Sequence, residues 1–118
     1  MSRAHGFAAE TKAKKYLIKQ GLKEITCNYQ TRCGEIDLIM RDGNFLVFIE
    51  VRARASKAFG DAVASITRTK RQKLIKTAQR YLLEHRIYEH RPVRFDVIGL
   101  DGSDQTIRWV KNAFGLDY

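Results

Sequence analysis

Acidic residues interrupt the stretch from Gly34 to Arg54, GEIDLIMRDGNFLVFIEVRAR, at positions where a β-strand should be apolar. Two β-type runs flank Asp42-Gly43, and Asp-Gly between such runs is the strongest short-range sign of a two-residue hairpin loop. With Asp42 and Gly43 as that loop, Arg41 faces Asn44, Ile39 faces Leu46, Asp37 faces Phe48 and Glu35 faces Glu50. Side chains alternate along a strand, so Glu35, Asp37, Glu50 and Arg52 are expected on one side of the sheet. Asp37 and Glu50 then become diagonal neighbours roughly 7–8 Å apart at the backbone, close enough for their side chains to converge. A three-residue loop would put these two carboxylates on opposite faces.

An acidic pair followed two residues later by a cation suits phosphodiester hydrolysis. Mg²⁺ or Mn²⁺ takes oxygen ligands and keeps several waters, so two carboxylates plus a backbone carbonyl make a sufficient site. The metal would polarise the phosphate and lower the pKa of a bound water. Arg52 would sit beside the charge that develops on the phosphate oxygens.

The elements that must position these groups can be read along the chain. Ser2 to Gln20 reads as a helix, with Ser2 as N-cap and Gly21 as its C-terminal stop. Its apolar face runs from Phe7 or Ala9 through Ala13, Tyr16, Leu17 and Gln20, with Lys12, Lys14, Lys15 and Lys19 largely opposite. Glu10 is the only acid of this helix, either an i,i+4 partner for Lys14 or an accessory metal or water ligand beside the hairpin. Glu24 to Tyr29 reads as a strand, joined through Thr31-Arg32-Cys33-Gly34 to the two hairpin strands at Ile36 to Met40 and Phe45 to Ala53. Val47, Phe48, Ile49 and Val51 make the second of these so apolar that it belongs in the middle of a sheet covered on both faces. Glu50 inside that run is costly unless it is paired or binds a metal.

Ala53 to Ile66 carries no period and reads as a loop. A second helix spans about Thr67 to His85, with Leu74, Ile75, Ala78, Tyr81 and Leu82 as its apolar stripe and either Thr67 or Thr69 as its start. Arg68, Lys70, Arg71, Lys73, Lys76 and Arg80 gather on it with no acid among them, a repulsion that a nearby polyanion would relieve. Val93 to Leu100 is a further strand, whose Asp96 either extends the acidic cluster or, as a single acid in an outer strand more often is, serves structure; Thr106 to Val110 completes a fifth at the edge. The architecture is therefore α/β, a mixed sheet of about five strands flanked by helices in the order α-β-β-β-α-β-β, in one domain of 118 residues.

The charge balance points the same way. Twenty-two Lys and Arg stand against 13 Asp and Glu, a formal net charge of +9, which suits nucleic acid as partner. Arg52, Arg54 and Lys57 with Arg68, Lys70, Arg71, Lys73 and Lys76 are the expected backbone-holding cations, giving salt-sensitive, mostly sequence-independent binding. Cys27 and Cys33 read as free thiols, and His5, His85 and His90 lack metal spacing. No apolar run is long enough for a membrane span and no signal-peptide h-region opens the chain, so the expected compartment is the cytosol.

The pattern Gly34-Glu35-Ile36-Asp37, then Glu50-Val51-Arg52 after the hairpin, resembles the D…ExK signature of the restriction-endonuclease-like superfamily. More narrowly the chain resembles the bacterial YraN family, related to archaeal Holliday-junction resolvases. Gly6 through Glu10 with Tyr16-Leu17, Phe59-Gly60, Lys73 through Leu82 and Arg94 through Ile98 match that family's other blocks. The resemblance implies a three-layer restriction-endonuclease-like core and a divalent-metal-dependent endonuclease acting on branched or junction-like DNA. It also implies Asp37 and Glu50 as metal ligands, with Glu10 as an accessory acid. Symmetric cutting of a two-fold junction would favour a homodimer. The superfamily's usual third member is lysine, and here it is Arg52, which stays protonated and can stabilise charge or orient water but not act as a base. The alternative reading is a nuclease-fold module that binds DNA or RNA without cutting.

Overall fold

A computed structural model of the chain describes residues 3–54, 61–87 and 91–115, with side chains from residue 8 onward and none at residue 61. Among the described residues five strands form one sheet in the order β1-β2-β3-β4-β5: β1 Lys23–Gln30, β2 Glu35–Asp42, β3 Phe45–Arg54, β4 Val93–Asp101 and β5 Thr106–Phe114. Strands β1, β2 and β3 form an antiparallel meander, β4 runs parallel to β3, and β5 returns antiparallel along the edge. The parallel step requires a crossover, which the chain makes through a short helix α2, Asp61–Ala64, and a long one, α3, Arg68–Glu84. The remaining helix, α1, Arg3–Lys19, precedes the sheet.

Burial divides these elements into three layers. Ala9, Ala13 and Leu17 of α1, at i, i+4 and i+8, pack on Leu38, Met40, Val47, Ile49, Ile98 and Leu100. On the other face Leu74, Ile75, Ala78 and Tyr81 of α3 cover Ile39, Leu46, Phe48, Phe95 and Val97. Strand β3, third of five and covered on both sides, is the central strand its near-continuous apolar run required. Thr67 caps α3, its hydroxyl accepting the Lys70 N–H at 3.1 Å, so the start at Thr67 wins over Thr69. Gly21 takes φ +103 just past α1, the left-handed conformation a C-terminal stop needs. Ser2, its expected N-cap, lies outside the described residues, as do His90, Phe59 and Gly60.

Two features depart from the sequence reading. The expected loop from Ala53 to Ile66 begins inside β3, which runs on to Arg54, and it contains α2; four residues are too few to show a helical period. The hairpin register is shifted by two residues: Arg41 pairs with Leu46, Ile39 with Phe48 and Asp42 with Phe45. The loop is Gly43-Asn44, with positive φ at Gly43 (+60) and none at Asn44. That pattern belongs to a turn that wants glycine first, whereas an Asp42-Gly43 loop would need positive φ at both positions. Asp42 stays in the strand, where its carboxylate accepts from Arg94 Nη2 at 2.9 Å. Arg94 also holds buried Asp96 through two bonds of 2.8 and 2.9 Å and lies over the Phe45 ring. Asp96 further accepts from the Trp109 indole and the Asn112 amide, so it is a structural acid.

Candidate active site

A shift of two preserves the faces, and it brings Asp37 level with Glu50 instead of diagonal to it. The β2–β3 ladder ends at Leu38 and Ile49. Just beyond that rung the Asp37 carboxylate accepts the backbone N–H of Val51 at 2.8 Å. Alternation also slips here, because Ile36 and Ile39 both pack on the α3 side although they are three positions apart, an odd offset that would put them on opposite faces. Across from Asp37 on β1, Asn28 takes φ +53. Asp37 is therefore held at the end of a ladder, reachable from both layers.

Both layers do reach it. From α1, Glu10 comes beside Asp37, and from β3, Glu50 stands on its other side. The dominant neighbour of each glutamate is Asp37, so the three form a row with the aspartate in the middle. Burial, then the Asp37 charge, pushes Glu10 up to about 7. Glu50, 6% exposed, is pushed up to about 8 by burial and by Asp37, against the opposing pull of Lys70. Burial also raises Asp37 above the usual carboxylate range, partly offset by the Val51 N–H. One oxygen of Glu10, Oε1, is buried with no hydrogen-bond donor. The Lys14 partnership considered for Glu10 does not form; Lys14 pairs with Glu24 at 3.2 Å. Glu35 accepts from Gln30 on β1 at 2.8 Å, and its charge still bears on Glu10 and Asp37.

Among the described residues two cations meet the carboxylate of Glu50. Arg52 Nη1 lies 3.6 Å from Oε2, while its Nε donates to Ser65 at 3.2 Å. Lys70, from the first turn of α3, places Nζ 3.3 Å from the same oxygen. Sequence reasoning grouped Lys70 with the surface cations and missed this role, because nothing local links the start of α3 to β3; Ser65 escaped for the same reason, and Asn28, which hydrogen-bonds Glu10, because nothing local links β1 to α1.

The other predicted cations part company. Lys73, Lys76 and Arg80 project from the exposed face of α3, spaced i, i+3 and i+7. Lys76 and Arg80 line an open groove of about 620 Å³ with Arg32, Cys33 and Glu84. Arg68 is exposed one turn earlier. Arg71 instead donates to the carbonyls of Ile66 and Val63 at 3.0 and 3.2 Å and lies over the Phe114 ring. It fastens the turn between α2 and α3, a use of arginine that charge counting cannot see. Arg54 ends β3, its carbonyl accepting from Gly102 at 2.9 Å, and Lys57 lies outside the described residues.

Among the described residues no three His, Cys, Asp or Glu side chains converge on one point as a ready-made metal site. The donor chemistry nevertheless fits a hard divalent cation. Adjacent carboxylates whose ionisation is opposed by burial and by one another, with a donorless oxygen on Glu10, are groups that positive charge would relieve. Asp37 and Glu50 would hold it, with water and Glu10 completing the shell. Cys27 and Cys33 are free and exposed, and no helix among the described residues is long and apolar enough to cross a membrane.

The sequence profile of the uncharacterised protein family UPF0102 matches residues 9–100, which take in every member of this site. A UPF0102 protein of Legionella pneumophila (strain Corby) is 50% identical over 114 residues, covering 97% of each chain. One from Coxiella burnetii (strain RSA 331 / Henzerling II) is 49% identical over 113 residues, 96% of this chain and 93% of that one. A third, from Klebsiella pneumoniae subsp. pneumoniae, is 48% identical over 116 residues, 98% and 89% of the two. By the profile and by these full-length relatives, the chain belongs to the UPF0102 family, the YraN family of the sequence resemblance.

Proposed function

We propose that the protein is a divalent-metal-dependent endonuclease that hydrolyses phosphodiester bonds in branched or junction-like DNA. The row Glu10–Asp37–Glu50, with two cations at its Glu50 end, carries this reading. When bound, Mg²⁺ or Mn²⁺ would polarise the phosphate and make water a better nucleophile. Asp37 is held by the Val51 N–H, so it is oriented before substrate arrives. In the reaction the oxygen of water bonds to phosphorus as the bond from phosphorus to the leaving sugar oxygen breaks. The proton of that water passes to solvent, and the sugar oxygen takes one up. Arg52 remains charged throughout, so its part is to face developing negative charge, not to remove a proton. Lys73 and Lys76 would hold the sugar-phosphate backbone alongside, while Arg80 is engaged by Glu84 at 3.2 Å. Two copies would be needed to cut a two-fold junction symmetrically, and the cytosol is the compartment that suits such a substrate.

A second reading, a nuclease-fold module that binds nucleic acid without cutting, is favoured by the absence of three converged ligands among the described residues. Calorimetric titration with Mn²⁺ separates the two. The nuclease reading expects binding heat that disappears in Asp37→Asn. No heat in the wild type, with DNA affinity intact and falling steeply in salt, would establish the second reading instead.

A further inference from the structure

We propose that Lys70, delivered from the α3 layer, is the principal cation of this site, doing at Glu50 what Arg52 is badly placed to do. The inference rests on the nuclease reading above and adds a residue that no strand-borne motif contains.

Three observations support it. Lys70 Nζ lies nearer the Glu50 carboxylate than the Arg52 guanidinium does, 3.3 against 3.6 Å. The two side chains are also differently committed. Arg52 gives Nε to the hydroxyl of Ser65, which itself donates to the Ala62 carbonyl at 2.7 Å, so the guanidinium is tied to the α2 turn. An ammonium has three donors, and Lys70, its side chain 44% exposed, has only Glu50 as its ion-pair partner among the described residues. Donors not used on Glu50 face the solvent from which a phosphate would approach. Finally, Lys70 is fixed at its root, because its backbone N–H is the one capped by Thr67. A residue on the capped first turn of a packed helix is firmly placed. A compact ammonium that bridges Glu50 and a non-bridging phosphate oxygen would stabilise the charge building there as water attacks.

The test uses the full chain and three variants, Lys70→Met, Lys70→Arg and Arg52→Met, with two readouts. In single-turnover cleavage of a branched DNA with Mn²⁺, Lys70→Met should slow the reaction by about 10²–10³-fold, the scale for deleting one preorganised charge donor. Lys70→Arg should recover much of that rate, and Arg52→Met should lose less than Lys70→Met. Affinity for the same DNA without metal should fall by about tenfold at most, the scale for one phosphate left without its cation. The second readout, calorimetric Mn²⁺ binding, needs no turnover. Removing an ammonium that competes for Glu50 should tighten Mn²⁺ binding in Lys70→Met by about tenfold at low salt, with Lys70→Arg close to wild type. Undiminished cleavage by Lys70→Met would overturn the assignment. A wild type that cuts nothing would overturn the nuclease reading and leave the decision on Lys70 to Mn²⁺ binding. Affinity unchanged in Lys70→Met, or no Mn²⁺ binding by any form, would then overturn the role of Lys70 as well.

Discussion

The carboxylate of Asp37 accepts the Val51 amide at 2.8 Å, one step past the last rung between β2 and β3. A side chain has taken over where the backbone ladder stops, so this acid satisfies an amide of the central strand and at the same time faces two glutamates. Structure and candidate chemistry are tied together at one residue, and substitutions can separate them.

Asp37→Ala leaves the Val51 N–H without its acceptor, which costs about 1–3 kcal/mol for a buried donor. Asp37→Asn keeps an oxygen there and relieves the crowding of negative charge. Denaturant melts should therefore show the alanine variant destabilised by that amount and the asparagine variant at least as stable as wild type. Asparagine is the substitution to use whenever function is to be probed with the fold intact.

The pH dependence follows from the raised carboxyls. Glu10 and Glu50 reach about 7 and about 8 in the folded chain, from an ordinary 4.5. Over the interval between, the folded state holds protons that the unfolded state has released, so stability declines as pH rises. The contribution is complete below about 4.5 and gone above about 8. Metal-free protein should lose Tm steadily from pH 5 to pH 8, with about 4 °C marking each 1 kcal/mol for a chain of this size. Glu50→Gln should flatten the decline, and Mn²⁺ should reverse it most at the alkaline end. A flat Tm across this range would show that the two carboxyls ionise as freely as in the unfolded chain, and one that climbs would show them lowered instead of raised.

The Arg94 junction makes a prediction remote from catalysis. Arg94→Met would strand Asp96, 1% exposed, without its cation, at a cost of about 3–5 kcal/mol. The same change would release Asp42 and with it one hold on the hairpin register. Gly43→Ala attacks that register from the other end, placing a Cβ at φ +60 for about 1–2 kcal/mol. Thermal denaturation should rank Arg94→Met well below Gly43→Ala.

Nucleic-acid affinity should be mostly electrostatic. Charge reversal of Lys73 and Lys76 should weaken DNA binding for all sequences alike. It should also make the slope of log K against log salt shallower by about one for each phosphate that no longer meets a lysine. Arg71→Gln should instead lower stability through the freed carbonyls of Val63 and Ile66, with little change in that slope.

Much of the fold was legible because it rests on local signals: the apolar run of β3 marked the central strand, and the stripe of α3 marked the covering helix. Asp37 and Glu50 could be brought together on paper even with the turn misplaced, because a slip of two residues returns every side chain to its own face. What stayed hidden depends on how the layers meet. The register is held by Arg94 from β4, the Lys14 partner of Glu10 gave way to Asp37, and Lys70 and Arg71, adjacent in sequence, go to an acid and to a pair of carbonyls. Charge counting treats those two residues alike; only packing distinguishes them.

The most direct measurement is cleavage itself. Purified wild type, Asp37→Asn and Glu50→Gln should be incubated with branched, flapped and single-stranded DNA in Mg²⁺ or Mn²⁺. Metal-dependent cutting of the branched substrate by wild type, abolished in both folded variants, is the result expected. Cutting that persists in the variants, or a wild type that cuts none of the three DNAs in either metal, would contradict it.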